Sequence, residues 1–131
     1  MPTQDNLQAA FAGESQANRK YLAFAAKAEA EGFPQIAKLF RAAAAAETVH
    51  ALAHFRVMKG VADTKQNLQA AIDGEGYEFK EMYPAFIKQA QTDGNAEAVT
   101  SFRNASNVER THYELYSVNA GRKTWRRPGP A

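Results

Sequence analysis

Cysteine is absent from the 131 residues. That excludes disulfides, thiol catalysis and every cysteine-ligated zinc or iron–sulfur site, and it fits a reducing, cytoplasmic setting. Charge of one sign is also scarce: 16 basic against 14 acidic side chains leave a net charge of +2, too little to point to a nucleic-acid partner. The one basic cluster, "GRKTWRRPGPA", ends in Pro-Gly-Pro and reads as a solvated tail over 120–131. No apolar stretch is long and uncharged enough to span a bilayer, and "MPTQDNLQAA" lacks the basic region and apolar run of a signal peptide. Glycine (8) and proline (5) are few and fall mostly between apolar-periodic segments, while alanine is abundant. The expectation is one all-α domain with a real core.

Apolar periodicity and breakers divide the chain into four helices, at about 3–31, 34–59, 65–92 and 96–119. "EGFP", "GVADTKQ" and "DGN" separate them. Pro84 is expected to kink the third helix, and Gly60 and Gly121 to end the second and fourth. The chain also repeats itself. "NLQAAFAGES" at Asn6 returns as "NLQAAIDGEG" at Asn67, and "LFRAAAAAETVH" returns as "SFRNASNVERTH". Glu14 and Glu75 stand 61 positions apart, whereas Glu47 and Glu109 stand 62 apart. The reading is an internal duplication, two helical hairpins over 1–119, with one residue added between the helices of the second.

Each helix carries an apolar stripe at three- and four-residue spacing, and near its middle each stripe is interrupted by Glu: Glu14, Glu47, Glu75 and Glu109. In the second and fourth helices His50 and His112 follow three residues later, one turn along the same face. A buried carboxylate without a partner costs several kcal/mol or takes up a proton. Lys and Arg are missing from these stripes, so a metal is the simplest partner. Carboxylate with imidazole suits iron, manganese or zinc better than magnesium or calcium. One Glu from each of two helices and Glu-x-x-His from each of the others is the general arrangement of ferritin-like dimetal bundles. Glu78, one turn after Glu75, breaks the symmetry, because its counterpart in the first half is Ala17. His54 follows His50 at i+4, but Ala51 stands where a zinc protease would need Glu. His54 is read as a packing residue or one that supports a ligand.

"AFAGESQANRKY", "ETVH", "GEGYEFKEMYP" and "ERTH" resemble the rubrerythrin family of the ferritin-like superfamily, over nearly the whole chain to about Asn119. The resemblance implies a ferritin-like four-helix bundle. It also implies a di-iron ligand set of Glu14, Glu47, His50, Glu75, Glu78, Glu109 and His112, in which manganese or zinc can replace iron. By the same resemblance Glu47 and Glu109 bridge the metals, and His50 and Glu78 exchange as ligands of one iron with redox state. Tyr21 and Tyr83 match family tyrosines that hydrogen-bond to the ligands; the alternative for both is ordinary core packing. The chain departs from the usual family pattern in having no four-cysteine rubredoxin-like domain, so a separate donor protein, such as a rubredoxin or flavoprotein, is expected to supply electrons.

The leading expectation is therefore a peroxidase that reduces hydrogen peroxide to water in oxidative-stress defence, with Glu78, His50, Tyr21 and Tyr83 nearest the chemistry. Its rivals are a ferroxidase of the ferritin type and a non-enzymatic metal-binding bundle. Assembly is read from the link between the hairpins. Helices two and three run parallel in a ferritin-like bundle, so the link must cover about 32 Å, while 59–66 reaches about 25 Å at most. A homodimer that exchanges hairpins resolves the shortfall.

Overall fold

The computed structural model describes residues 2–121. The described chain contains no strand, and its helices run α1 (Pro2–Ala30), α2 (Pro34–Val57), α3 (Thr64–Tyr77), a five-residue π-turn (Glu78–Met82), α4 (Tyr83–Thr92) and α5 (Ala96–Ala120). The third expected helix is thus α3, the π-turn and α4 in succession. Residues 122–131 of the expected basic tail lie outside the described residues. Among the described residues no helix is long and apolar enough to cross a membrane.

The helices form two compact units, divided after Val61. In the first, α1 pairs with α2; in the second, α5 pairs with α3, the π-turn and α4. The duplication is visible in their corners. Gly32 (φ 86°) and Gly94 (φ 71°) turn the chain in the left-handed region, which a side chain disfavours. Behind them Phe33 N–H donates to Ala28 O at 2.8 Å, and Asn95 N–H to Ala90 O at 2.9 Å, the same C-terminal closure in both copies. Asn95 then caps α5 by accepting from Ala98 N–H. The aromatic packing repeats as well: Tyr21, Phe24 and Phe40 cluster in one hairpin, and Tyr83, Phe86 and Phe102 in the other.

Within each hairpin the helices approach through small residues. The buried apolar side chains are Ala25, Ala28, Ala37, Ala44 and Ala51 in the first and Ala90 in the second, while Phe24, Ile36, Leu39, Phe86, Val108 and Leu115 stay exposed. Asn18 ties α1 to α2, donating to Ala44 O and Thr48 Oγ1, each at 2.8 Å.

Three expectations are revised. The left-handed residue that ends α2 is Lys59 (φ 63°) rather than Gly60. Gly60 lies under the Phe55 ring, where an added Cβ would come within 2.4 Å. The disturbance expected at Pro84 falls one turn earlier. Pro84 sits in the first turn of α4, where its missing N–H costs nothing, and the preceding turn widens instead.

The added residue of the second copy does not lie between its helices either. Glu14 and Glu75 differ by 61, but Tyr21 and Tyr83, still inside the first helix of each hairpin, already differ by 62. The extra residue is the π-turn, closed by Tyr83 N–H donating to Glu78 O, an i+5 bond. Seven residues from Glu14 to Tyr21 make two α-turns. Eight from Glu75 to Tyr83 keep that phase because one turn is wider.

Candidate metal centre

Each hairpin brings together one Glu from its first helix and the Glu-x-x-His of its second. Glu14, Glu47 and His50 form one group, and Glu75, Glu109 and His112 the other, with ligand atoms within 4.8 Å of one another in each. The copies match in detail. His50 Nδ1 lies 3.0 Å from Glu14 Oε1 and 4.0 Å from Glu47 Oε2. His112 Nδ1 lies 3.5 Å from Glu75 Oε1 and 3.8 Å from Glu109 Oε1. The acids are the more covered members: the side chains of Glu47, Glu75 and Glu109 are 21%, 18% and 20% exposed, against 53% and 44% for the two histidines.

Glu78 joins the second group through a hydrogen bond with Glu109. That bond, then burial, then the Glu109 charge raise the Glu78 carboxyl from the ordinary 4.5 to about 7. The same hydrogen bond acts to lower Glu109. A hydrogen bond with Glu75, burial and the Glu75 charge outweigh it, against a further lowering by His112, and Glu109 is raised too. Tyr83 is pushed up by burial first and then by the charges of Glu78, Glu109 and Glu75, which puts its hydroxyl in electrostatic reach of the acids. Tyr21 is placed in the aromatic cluster of the first hairpin, 6.1 Å from Phe40 between ring centroids.

Sequence reasoning left His54 between packing and support of a ligand. Its Nε2 lies 2.6 Å from Glu14 Oε2, so Glu14 has one histidine at each oxygen. The counterpart of His54, 62 positions on, is Tyr116, whose ring lies 6.3 Å from that of His112. Sequence reasoning does not find the π-turn, nor Tyr113, which packs against its Phe79 and Lys80. The one signal available was the change of offset between Glu75 and Tyr83.

The residues suit a metal. Glu75 Oε2 is buried without a hydrogen-bond partner, and Glu14 Oε2, although close to His54, has none in hydrogen-bonding geometry. A buried carboxylate oxygen left so is costly unless a cation faces it. Carboxylate–imidazole donors with no thiolate fit iron, manganese or zinc.

A family model described as Rubrerythrin matches residues 5–118. Nigerythrin of Nitratidesulfovibrio vulgaris is 40% identical over 87% of this chain and 63% of its own length. Rubrerythrin-2 of Clostridium acetobutylicum is 36% identical over 87% of this chain and 70% of its own. The chain thus spans about two thirds of these relatives. A solved structure of fully reduced, all-ferrous nigerythrin aligns at 40% identity with 90% of this chain and 65% of that one, with a TM-score of 0.45.

Proposed function

The chain belongs to the rubrerythrin family, and from that premise we propose that it is a cytoplasmic di-iron peroxidase that reduces hydrogen peroxide in defence against oxidative stress. The observation that carries this reading is the pair of matching half-sites, one per hairpin, with an added acid, Glu78, beside the second alone. Glu14, Glu47 and His50 would supply ligands from one hairpin and Glu75, Glu109 and His112 from the other. Two ferrous ions held there would supply the two electrons that hydrogen peroxide takes up, with two protons, in becoming two waters.

The side chains have distinct parts in this scheme. His50 and Glu78 would be alternative ligands of one ion in its two redox states. Glu78 is suited to the role because its carboxyl, raised to about 7, changes charge readily near neutral pH. The Tyr83 hydroxyl, kept protonated by burial and nearby carboxylates, would donate to a ligand carboxylate, and Tyr21 would do the same for the first half. His54 would hold Glu14 in orientation, as groups beyond the ligands do at metal sites.

Electrons would come from a separate donor such as a rubredoxin or flavoprotein. The dimer would exchange hairpins. The α2 end at Val57 lies about 15 Å beyond Glu47, and the α3 start at Thr64 about 16 Å before Glu75. Full extension from Val57 to Thr64 reaches about 25 Å, and the backbone there is not extended, since Gly60 N–H bonds back to Phe55 O.

The test of Glu78 is Glu78→Ala. It is expected to keep its iron and to slow oxidation by peroxide about tenfold or more, roughly 1.4 kcal/mol of barrier. Unchanged oxidation kinetics would remove Glu78 from the mechanism. A cage-sized assembly that mineralises many irons per chain would favour the ferroxidase reading instead. Zinc with no ferric absorption would favour a non-enzymatic bundle.

A further inference from the structure

The π-turn is held from outside by one side chain that is not on it. The Tyr113 ring packs on Phe79 with centroids 5.1 Å apart. Lys80 Nζ donates to the Tyr113 hydroxyl at 3.1 Å and lies 4.3 Å from its ring centroid, within cation–π range. On the near side of the turn the ring lies against the Gly76 backbone, where an added Cβ would come within 3.1 and 3.3 Å of it. Tyr113 therefore touches the residue two before Glu78 and the two residues after it.

The first hairpin has neither the ring nor the turn. At the positions of Gly76 and Tyr113 it carries Ser15 and Ala51, and α1 runs unbroken as α-helix. A wide turn inside a helix is an uncommon conformation that tends to mark functional sites. It competes with an α-helical path in which everything after it slips by one residue. Contacts on both sides of the turn oppose that slip. Tyr113 also follows His112 directly on α5, so adjacent residues serve the acid cluster and the turn that presents Glu78 to it.

We propose that Tyr113, seated on Gly76 and joined to Phe79 and Lys80, is a positioning residue that fixes the π-turn in register and so holds Glu78 beside Glu109. The proposal rests on the reading of Glu78 as the added ligand, and its test separates the two. In the metal-free full chain, Tyr113→Ala is expected to speed amide exchange over 79–83 about tenfold, leaving α1 and α2 within about twofold. Tyr113→Phe, which keeps the ring, is expected to return exchange to within about threefold of the parent. Loaded with iron, Tyr113→Ala is expected to slow peroxide oxidation as Glu78→Ala does, and the double variant is expected to be no slower than either.

Unchanged exchange in Tyr113→Ala overturns the positioning role whatever Glu78 does. Faster exchange together with parental kinetics in Glu78→Ala supports the hold on the turn and overturns the ligand reading of Glu78 instead. Should Tyr113→Ala lose helicity by circular dichroism, Tyr113→Leu fills the space over Gly76 without the ring or hydroxyl. The same acceleration is expected from it, and its absence overturns the proposal.

Discussion

Glu78 has two environments to satisfy, one without metal and one with it. Without metal its carboxyl is raised to about 7 by the hydrogen bond with Glu109, by burial and by the Glu109 charge. The native metal-free chain therefore holds a proton between pH 4.5 and about 7 that the unfolded chain has released. The contribution of Glu78 to stability falls as pH rises through that window, because there its native form binds more protons than its unfolded form. Glu78→Gln removes this dependence. In urea titrations of metal-free protein, its advantage over the parent is expected to grow from pH 5 to pH 7.5. A difference that stays flat with pH would contradict the proton shared with Glu109. The members of the two Glu–His groups stood out in the sequence because Glu and His are conspicuous on apolar stripes. His54 was not, since its 2.6 Å approach to Glu14 depends on how α1 and α2 meet.

The π-turn shows what a stripe can hide. Glu75, Phe79, Met82 and Phe86 are spaced 4, 3 and 4, which is an ordinary helical pattern, so nothing local announces five residues of different geometry. Helix starts have local causes: Pro34 in the first turn of α2, which the sequence shows, and Asp63, which accepts from Gln66 N–H at the start of α3 and was read as part of the link. The repeated Asn of "NLQAA" has a local use in one copy only. Asn67 bonds both the N–H and the C=O of Ala62, at 2.9 Å each, pinning the link to α3. If the turn absorbs one inserted residue, deleting the exposed Glu81 should restore the seven-residue spacing of the first copy. Helicity and thermal midpoint are expected to hold, as continuous α-helix replaces a less favoured turn, while peroxide oxidation slows. Loss of folding on that deletion would mean the extra residue is needed for more than Glu78.

At the scale of the molecule, the buried apolar side chains of the described residues are all alanines, and many large apolar side chains stay exposed. A two-helix unit with so little core is marginal by itself. The proposed exchange of hairpins has a distinctive consequence. Glu47→Ala and Glu109→Ala are each expected to inactivate a homodimer. Co-expressed, they give mixed dimers in which an exchanged arrangement assembles one site from two intact halves and one from two damaged halves. Activity is expected to return to about half the parental level per mixed dimer, by the symmetry of a two-fold assembly. Without exchange every site carries one damaged half, and no activity returns.

The central claim is that the two half-sites together reduce peroxide. It is tested most directly by loading the chain anaerobically with ferrous iron and mixing it in parallel with hydrogen peroxide and with oxygen, while following the ferric absorption. Two irons per chain, oxidised about tenfold or more faster by peroxide than by oxygen, is the predicted result. Oxidation by oxygen as fast as by peroxide, with iron accumulating beyond two per chain, would contradict it.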